Sequence, residues 1–182
     1  MRVATRAKTQ SPKAKWATRL VGAGLTAAVA VGLTASPALA APGPQYDAAV
    51  APTETDLQTN PFCQDIGLGS AVQNTTGENP SGSGQLPLPD GSTIDFNIYP
   101  NNIDPVTPDG QLVDFSYSTG STFAAAAVIV KGGPRANVYD YRSLGSGSIA
   151  ADTTLHTSVN PQNDKFYGIS HIVFCSVKTK YT

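Results

Sequence analysis

The chain is short of nearly everything from which catalytic and nucleic-acid-binding sites are usually assembled. Its 182 residues include two cysteines, two histidines, one tryptophan and one methionine, and charged residues make up only 14%. With no CxxC pair, and Cys63 and Cys175 the only cysteines, a zinc-finger site is excluded. There is no G-x-S-x-G elbow, and Lys131-Gly132-Gly133 lacks the spacing of a phosphate-binding loop. No internal repeat and no convincing amphipathic helical period runs through the chain, which argues against helical and repeat architectures.

What is there begins with an uneven placement of charge. Arg2, Arg6, Lys8, Lys13, Lys15 and Arg19 come first, without one acidic residue among the first forty, and an apolar stretch from Leu20 to Leu33 follows. Pro37 and Ala38-Leu39-Ala40 then supply a helix breaker and the small residues that a signal peptidase requires. Residues 1–40 therefore read as a secretory signal peptide cleaved after Ala40. The rival reading is an uncleaved anchor over Leu20 to Leu39, but a span needs about 20 strongly apolar residues and this stretch is rich in Ala and Gly. No adjacent arginine pair is present, so the general secretory pathway is expected. The expected destination is extracellular, with no membrane association after cleavage.

Removing the peptide changes the composition. Six of twelve basic residues leave and all thirteen acidic residues stay, so the mature net charge is six minus thirteen, or −7. Such a surface repels phosphate backbones and carries no Lys/Arg cluster, so nucleic acid is not an expected partner. Trp16 and Met1 leave as well. The remainder suits one domain. In an oxidising compartment Cys63 and Cys175 read as a disulfide rather than as two buried thiols. It would close a loop of roughly 110 residues, worth about 4–5 kcal/mol in the chain-entropy model.

Residues 41–60 are rich in Pro, Ala and Thr and poor in large apolar side chains, and are expected to be a flexible lead to a domain over residues 61–182. A polar run from Asn74 to Gln85 reads as a loop. After Pro89-Asp90-Gly91, Ile94, Phe96 and Ile98 alternate with Asp95 and Asn97. Beyond a second turn at Pro108-Asp109-Gly110, Val113, Phe115 and Tyr117 alternate in the same way, and the two strands are expected to pair antiparallel. Phe123 to Val130 is ambiguous, because its four alanines favour a helix and its Val-Ile-Val a strand. Its short length between glycines favours a buried strand. Gly132-Gly133-Pro134 turns the chain into Ala136 to Tyr141, a short strand follows over Thr153 to His156, and the last runs from Gly168 to Val177. That last strand is apolar on both sides, Ile169, Val173 and Cys175 on one and Ile172 and Phe174 on the other, and should be central. Together these elements predict an all-β, antiparallel, jelly-roll-like sandwich closed by one disulfide.

Several short motifs occur in order: Val128-Ile129-Val130-Lys131-Gly132-Gly133-Pro134, Asn137-Val138-Tyr139-Asp140-Tyr141, Asp152 with Leu155-His156, Val159-Asn160-Pro161, and Gly168 to Cys175. In these the chain resembles an uncharacterised family of secreted and cell-surface bacterial β domains, frequent in actinobacteria. The resemblance implies an exported β module and carries over no catalytic residues. The chain has no sorting signal or apolar tail after Cys175, which for such a module implies release rather than anchoring.

Candidate chemistry is sparse. His156, His171 and Asp152 are the combination that would make a metal site or an acid/base pair if they converged. The plainer reading makes both histidines structural. Asp95 and Asp114 project from one outward face of the proposed hairpin, as paired carboxylates do for glycoside hydrolysis or Ca²⁺ binding, though a solvated face explains them as well. Ser170 and His171 are strand neighbours expected on opposite faces, so the serine is not activated by that histidine. Tyr99, Tyr139, Tyr141 and Tyr167 are read as core packing rather than as a sugar-stacking face. No residue is assigned a catalytic, cofactor or metal role. The expected function is a non-catalytic extracellular binding or interaction module with an extracellular or cell-wall partner and no cofactor. The alternatives are a small extracellular hydrolase or metal-dependent enzyme using His156, His171 and Asp152, and a purely structural surface protein.

Overall fold

The computed structural model of the protein describes residues 46–57, 59–102 and 110–179. The signal-peptide reading of residues 1–40 lies outside the described residues, as do residues 41–45 of the expected lead.

Alternation sets the first sheet. In β4, Thr93–Pro100, Ile94 and Ile98 are buried while Asn97 is exposed. β4 pairs antiparallel with β5, Gln111–Tyr117, whose Val113, Phe115 and Tyr117 also point inward. With β3, Gly82–Pro87, and β8, Ala151–His156, these strands form a four-stranded sheet in the order β3-β4-β5-β8. A Cβ at position 84 would lie 2.3 Å from the ring of Phe96 on the neighbouring strand, so a larger residue there would have to displace that ring.

A second sheet is built from continuously apolar runs. All ten residues of β6, Phe123–Gly132, are buried, and the run is a strand because ladders form along both its edges. A turn at Gly133 and Pro134 returns the chain as β7, Arg135–Asp140. β11, Ile169–Lys178, pairs with β6 on one side and with β2, Val72–Thr75, on the other, which places it inside the sheet as its two-sided apolarity requires. The order is β1-β7-β6-β11-β2, where β1 is Thr53–Thr55. A small hairpin of β9, Val159–Asn160, and β10, Lys165–Phe166, lies between β8 and β11 in the chain.

The two sheets pack face to face. Ile94, Val113, Phe115 and Leu155 of the first meet Val128, Tyr139, Ile172 and Phe174 of the second in one core, with the Phe115 and Phe174 rings edge to face at 5.4 Å. The second sheet is also covered on its far side. There Ile129, Val138, Val173 and Cys175 form a separate cluster with Cys63 and Leu68, and Leu57, Ile66 and Ala71 pack around it. Cys63, in a 3-10 turn over Cys63–Ile66, is disulfide-bonded to Cys175 across 112 positions, with Cα atoms 5.6 Å apart. The fold is thus an antiparallel all-β sandwich closed by one disulfide.

Three details depart from the sequence reading. Residues 46–57 are not a loose lead: Thr53, Glu54 and Thr55 pair with Val138, Asn137 and Ala136, and Ala48 and Val50 pack on the main core. Backbone hydrogen bonding fixes this segment, which apolar content alone does not register. The run from Asn74 to Gln85 is not one loop, since β2 claims its start and the glycine-containing edge strand β3 its end. Ile169 faces the main core beside Ile172 and Phe174, because a register shift between Ile169 and His171 inverts the expected alternation.

Candidate functional site

The residues singled out from the sequence do not gather into one centre. Asp152, buried on β8, accepts the Ala49 amide on both oxygens at 2.9 and 3.1 Å, the Tyr141 hydroxyl at 2.8 Å and the Thr153 amide at 2.9 Å. Its acceptor capacity holds the segment around Ala49 and the 3-10 turn that follows β7, Tyr141–Ser143, to β8. In return, burial beside this carboxylate pushes the Tyr141 hydroxyl far above the usual tyrosine range. His156 ends the same strand. Its ring stacks on Phe166 at 4.2 Å and meets Tyr46 at 4.6 Å, and its Nδ1 lies 2.9 Å from the Thr157 carbonyl. Burial holds its pKa below the usual value.

His171 belongs to the other sheet, opposite Lys131 of β6. Both side chains are only 5% exposed. The Lys131 ammonium donates to the Gly133 carbonyl, and His171 Nε2 has no hydrogen-bond partner among the described residues. Burial first, and the Lys131 cation second, lower the His171 pKa, against a smaller opposing pull from Glu78. The register shift at Ser170 also corrects one expectation: Ser170 Oγ comes within 3.4 Å of His171 Nδ1, although its hydrogen bond goes to the Lys131 carbonyl at 3.1 Å. Among the described residues no group of three or more His, Cys, Asp or Glu is placed to hold a metal ion. Tyr139 and Tyr141 are fully buried core residues and present no aromatic face.

The outer face of the four-stranded sheet is a different environment. Period-two alternation places polar residues there, and antiparallel register aligns them from strand to strand. Gln85 pairs with Asp95, Asp95 with Ser116 and Ser116 with Ala151, which makes one row across all four strands. Ser83 pairs with Asn97 and Asn97 with Asp114, and Thr153 stands beside Asp114 on β8, which makes a second. Both rows line one open groove of about 700 Å³. Asp95 and Asp114 are therefore diagonal neighbours, not opposite partners, since register places Asn97 against Asp114.

One oxygen of each carboxylate is held within the sheet. Asp95 Oδ1 accepts Gln85 Nε2 at 2.6 Å, and Asp114 Oδ1 accepts both the Tyr99 hydroxyl and the Thr154 amide at 2.8 Å. Burial and the adjacent Asp114 carboxylate raise the Tyr99 pKa, which keeps that phenol a donor. Oδ2 of each aspartate accepts no hydrogen bond among the described residues, and neither Ser116 nor Thr153 uses its hydroxyl in one. Beside this face the β5–β8 ladder is irregular between Val113 and Phe115, and Thr154 sits there at φ 58° with its hydroxyl buried and without a partner among the described residues. A β-branched residue in that backbone region is strained, and here the strain delivers the Thr154 N–H to Asp114.

No family model, curated protein or solved structure was found to match the chain. The sequence drew attention to Asp95 and Asp114 but not to Gln85, Asn97, Ser116 and Thr153, which share their groove. Their signal is register: it appears only once β3, β4, β5 and β8 are laid side by side.

Proposed function

We propose that the domain beginning at Ala41 is an exported, non-catalytic binding module whose contact surface is the outer face of the four-stranded sheet. One observation carries this reading. The groove there holds Asp95, Asp114, Ser116 and Thr153 with hydrogen-bonding capacity unused among the described residues, whereas Asp152 and His156 are engaged in holding the fold. A disulfide closing most of the domain suits an oxidising compartment outside the cytoplasm. The signal-peptide pattern of residues 1–40 and kinship with exported bacterial β modules belong to the same reading. The enzyme alternative would need His156, His171 and Asp152 in one place, and no observation favours it.

The test is a binding screen of the protein purified from culture medium against cell-wall, glycan and extracellular-matrix preparations. Capture by at least one preparation, with loss of capture after Asp95→Asn or Asn97→Ala, is the expected result. No capture by any of them overturns the reading. Intact-mass measurement of the same material should give a chain starting at Ala41, and a retained Met1 would remove the export part of it.

A further inference from the structure

We infer that the groove takes an uncharged, hydroxyl-rich glycan chain lying across the strands, an assignment that rests on the binding-module reading above. Around its two carboxylates, amides and hydroxyls the lining also includes Gly84, Phe96, Phe115 and Ala151, and it holds no Lys, Arg or His. An anionic polymer would meet two like charges and no counter-charge in the groove, and a mature net charge of −7 adds to that repulsion. The groove therefore selects against phosphate-, sulfate- and carboxylate-bearing chains.

What it offers positively is a set of acceptors. Asp95 Oδ2 and Asp114 Oδ2 have no partner among the described residues, and each carboxylate is anchored through Oδ1, so neither has to be ordered when a ligand arrives. A carboxylate accepting hydroxyl donors makes short, charge-assisted hydrogen bonds. The amide of Asn97, which accepts Ser83 Oγ at 2.9 Å through Oδ1, keeps its NH₂ donors for a ring or hydroxyl oxygen. Donors and acceptors thus alternate along the row Ser83, Asn97, Asp114, Thr153. A polyol presents the same alternation, because every hydroxyl both donates and accepts.

Shape chooses between a glycan and a peptide. An extended peptide is recognised by adding to a sheet edge, where unpaired main-chain groups are available. This groove lies on the face of the sheet, and β4 and β5 at its centre are paired on both edges. Only side chains are on offer, in rows stepping across neighbouring strands about 4.7–4.9 Å apart. That arrangement suits a chain of repeating polar units running perpendicular to the strands.

Affinity electrophoresis of the disulfide-intact protein tests this, with gels containing a neutral glucan, a neutral galactan, chitosan as a polycation, or polygalacturonate as a polyanion. The expected result is retardation by a neutral glycan and none by polygalacturonate, with Asp95→Asn and Asp114→Asn each weakening it by about tenfold or more. Because Asp114 also holds Tyr99 and Thr154, its variant is scored only with an unchanged circular-dichroism spectrum, and Asp95→Asn carries the test otherwise. Retardation by polygalacturonate, by chitosan alone, or by a neutral glycan equally in wild type and Asp95→Asn overturns the assignment. If no glycan retards the protein but a protein preparation captures it through this face, the glycan assignment fails and the binding-module reading stands. If nothing is captured, both fail.

Discussion

The two sheets of the sandwich handle their outer faces in opposite ways. β6 is buried at every one of its ten positions, and a second apolar cluster, tied down by Cys63–Cys175, covers the side turned away from the core. β4, at the centre of the other sheet, buries Ile94 and Ile98 and leaves polar residues on its far face, where they line an open groove with no cover among the described residues. A sheet that is apolar on both sides must be covered on both, so the protein devotes a 3-10 turn and the segment around Leu57 to that task. A sheet that alternates needs only one cover. The comparison separates residues that maintain the fold from residues available to a partner, and it makes the second sheet sensitive to substitution and the first tolerant on its outer side.

Breaking the cover should have the largest effect. Replacing Cys63 and Cys175 by alanine frees a loop of 112 residues and should cost about 4–5 kcal/mol in chemical denaturation of the mature domain. A loss below about 1 kcal/mol would mean that the covering layer is held without the disulfide. Next in size is Asp152→Ala. It orphans the buried Tyr141 hydroxyl and releases Ala49, at about 1–3 kcal/mol for each buried group left unpartnered. Limited proteolysis should then cut the variant within residues 46–57 sooner than the wild type. Equal cutting rates would show that the pairing of Thr53 to Thr55 with β7 suffices to hold the segment.

A pH titration compares the sheets through their histidines. His171 is buried beside Lys131 on the covered sheet, faced also by Glu78, and His156 is half-buried at the end of β8. Both have folded pKa values below the unfolded value of about 6.5. Folding therefore favours the neutral rings, so this part of the stability is fully present above pH 6.5 and is lost as pH falls through the unfolded value towards the folded ones. The thermal midpoint should drop between pH 7 and pH 5, and less steeply in His171→Gln, with the remaining slope assigned to His156. A wild-type midpoint flat over that window would place both rings in effective contact with water.

Sequence alone carried the alternating strands and the continuous ones because each pattern is local. Ile94 to Ile98 and Phe123 to Val130 declare their burial within eight residues, and Cys63 and Cys175, the only two cysteines, have only each other to pair with. Contacts between distant residues were not legible. Nothing near Ala49 announces that its amide will meet a carboxylate 103 positions away, and nothing near Ile169 announces a register shift. The strand pair Lys131 and His171 was likewise invisible, since two polar residues in apolar runs say nothing about facing each other. The short motifs between Val128 and Cys175 contribute mainly to the interior. Asn137 and Tyr139 donate to the His156 carbonyl, and Tyr141 to Asp152. The groove comes largely from residues outside those motifs, whose alternation reads as an ordinary solvated surface.

The smallest expected effect on stability is therefore the most informative about function. Asn97 is exposed and Asp95 half-buried on the open face, and their described hydrogen bonds are to Ser83, Gln85 and Thr93 side chains of the same face. Asn97→Ala and Asp95→Asn should each change unfolding free energy by no more than about 0.5 kcal/mol, as surface substitutions usually do. On the covered sheet a polar change at a comparable outer position, Val138→Asn, places an amide in the apolar cluster and should cost about 1–3 kcal/mol. If Asn97→Ala proved as costly as Val138→Asn, the polar rows would be part of the framework, and the open face would lose its claim to be a contact surface. If it is nearly neutral while capture is lost, stability and binding reside on opposite sheets, since a residue that contributes little to folding and much to capture acts through the ligand.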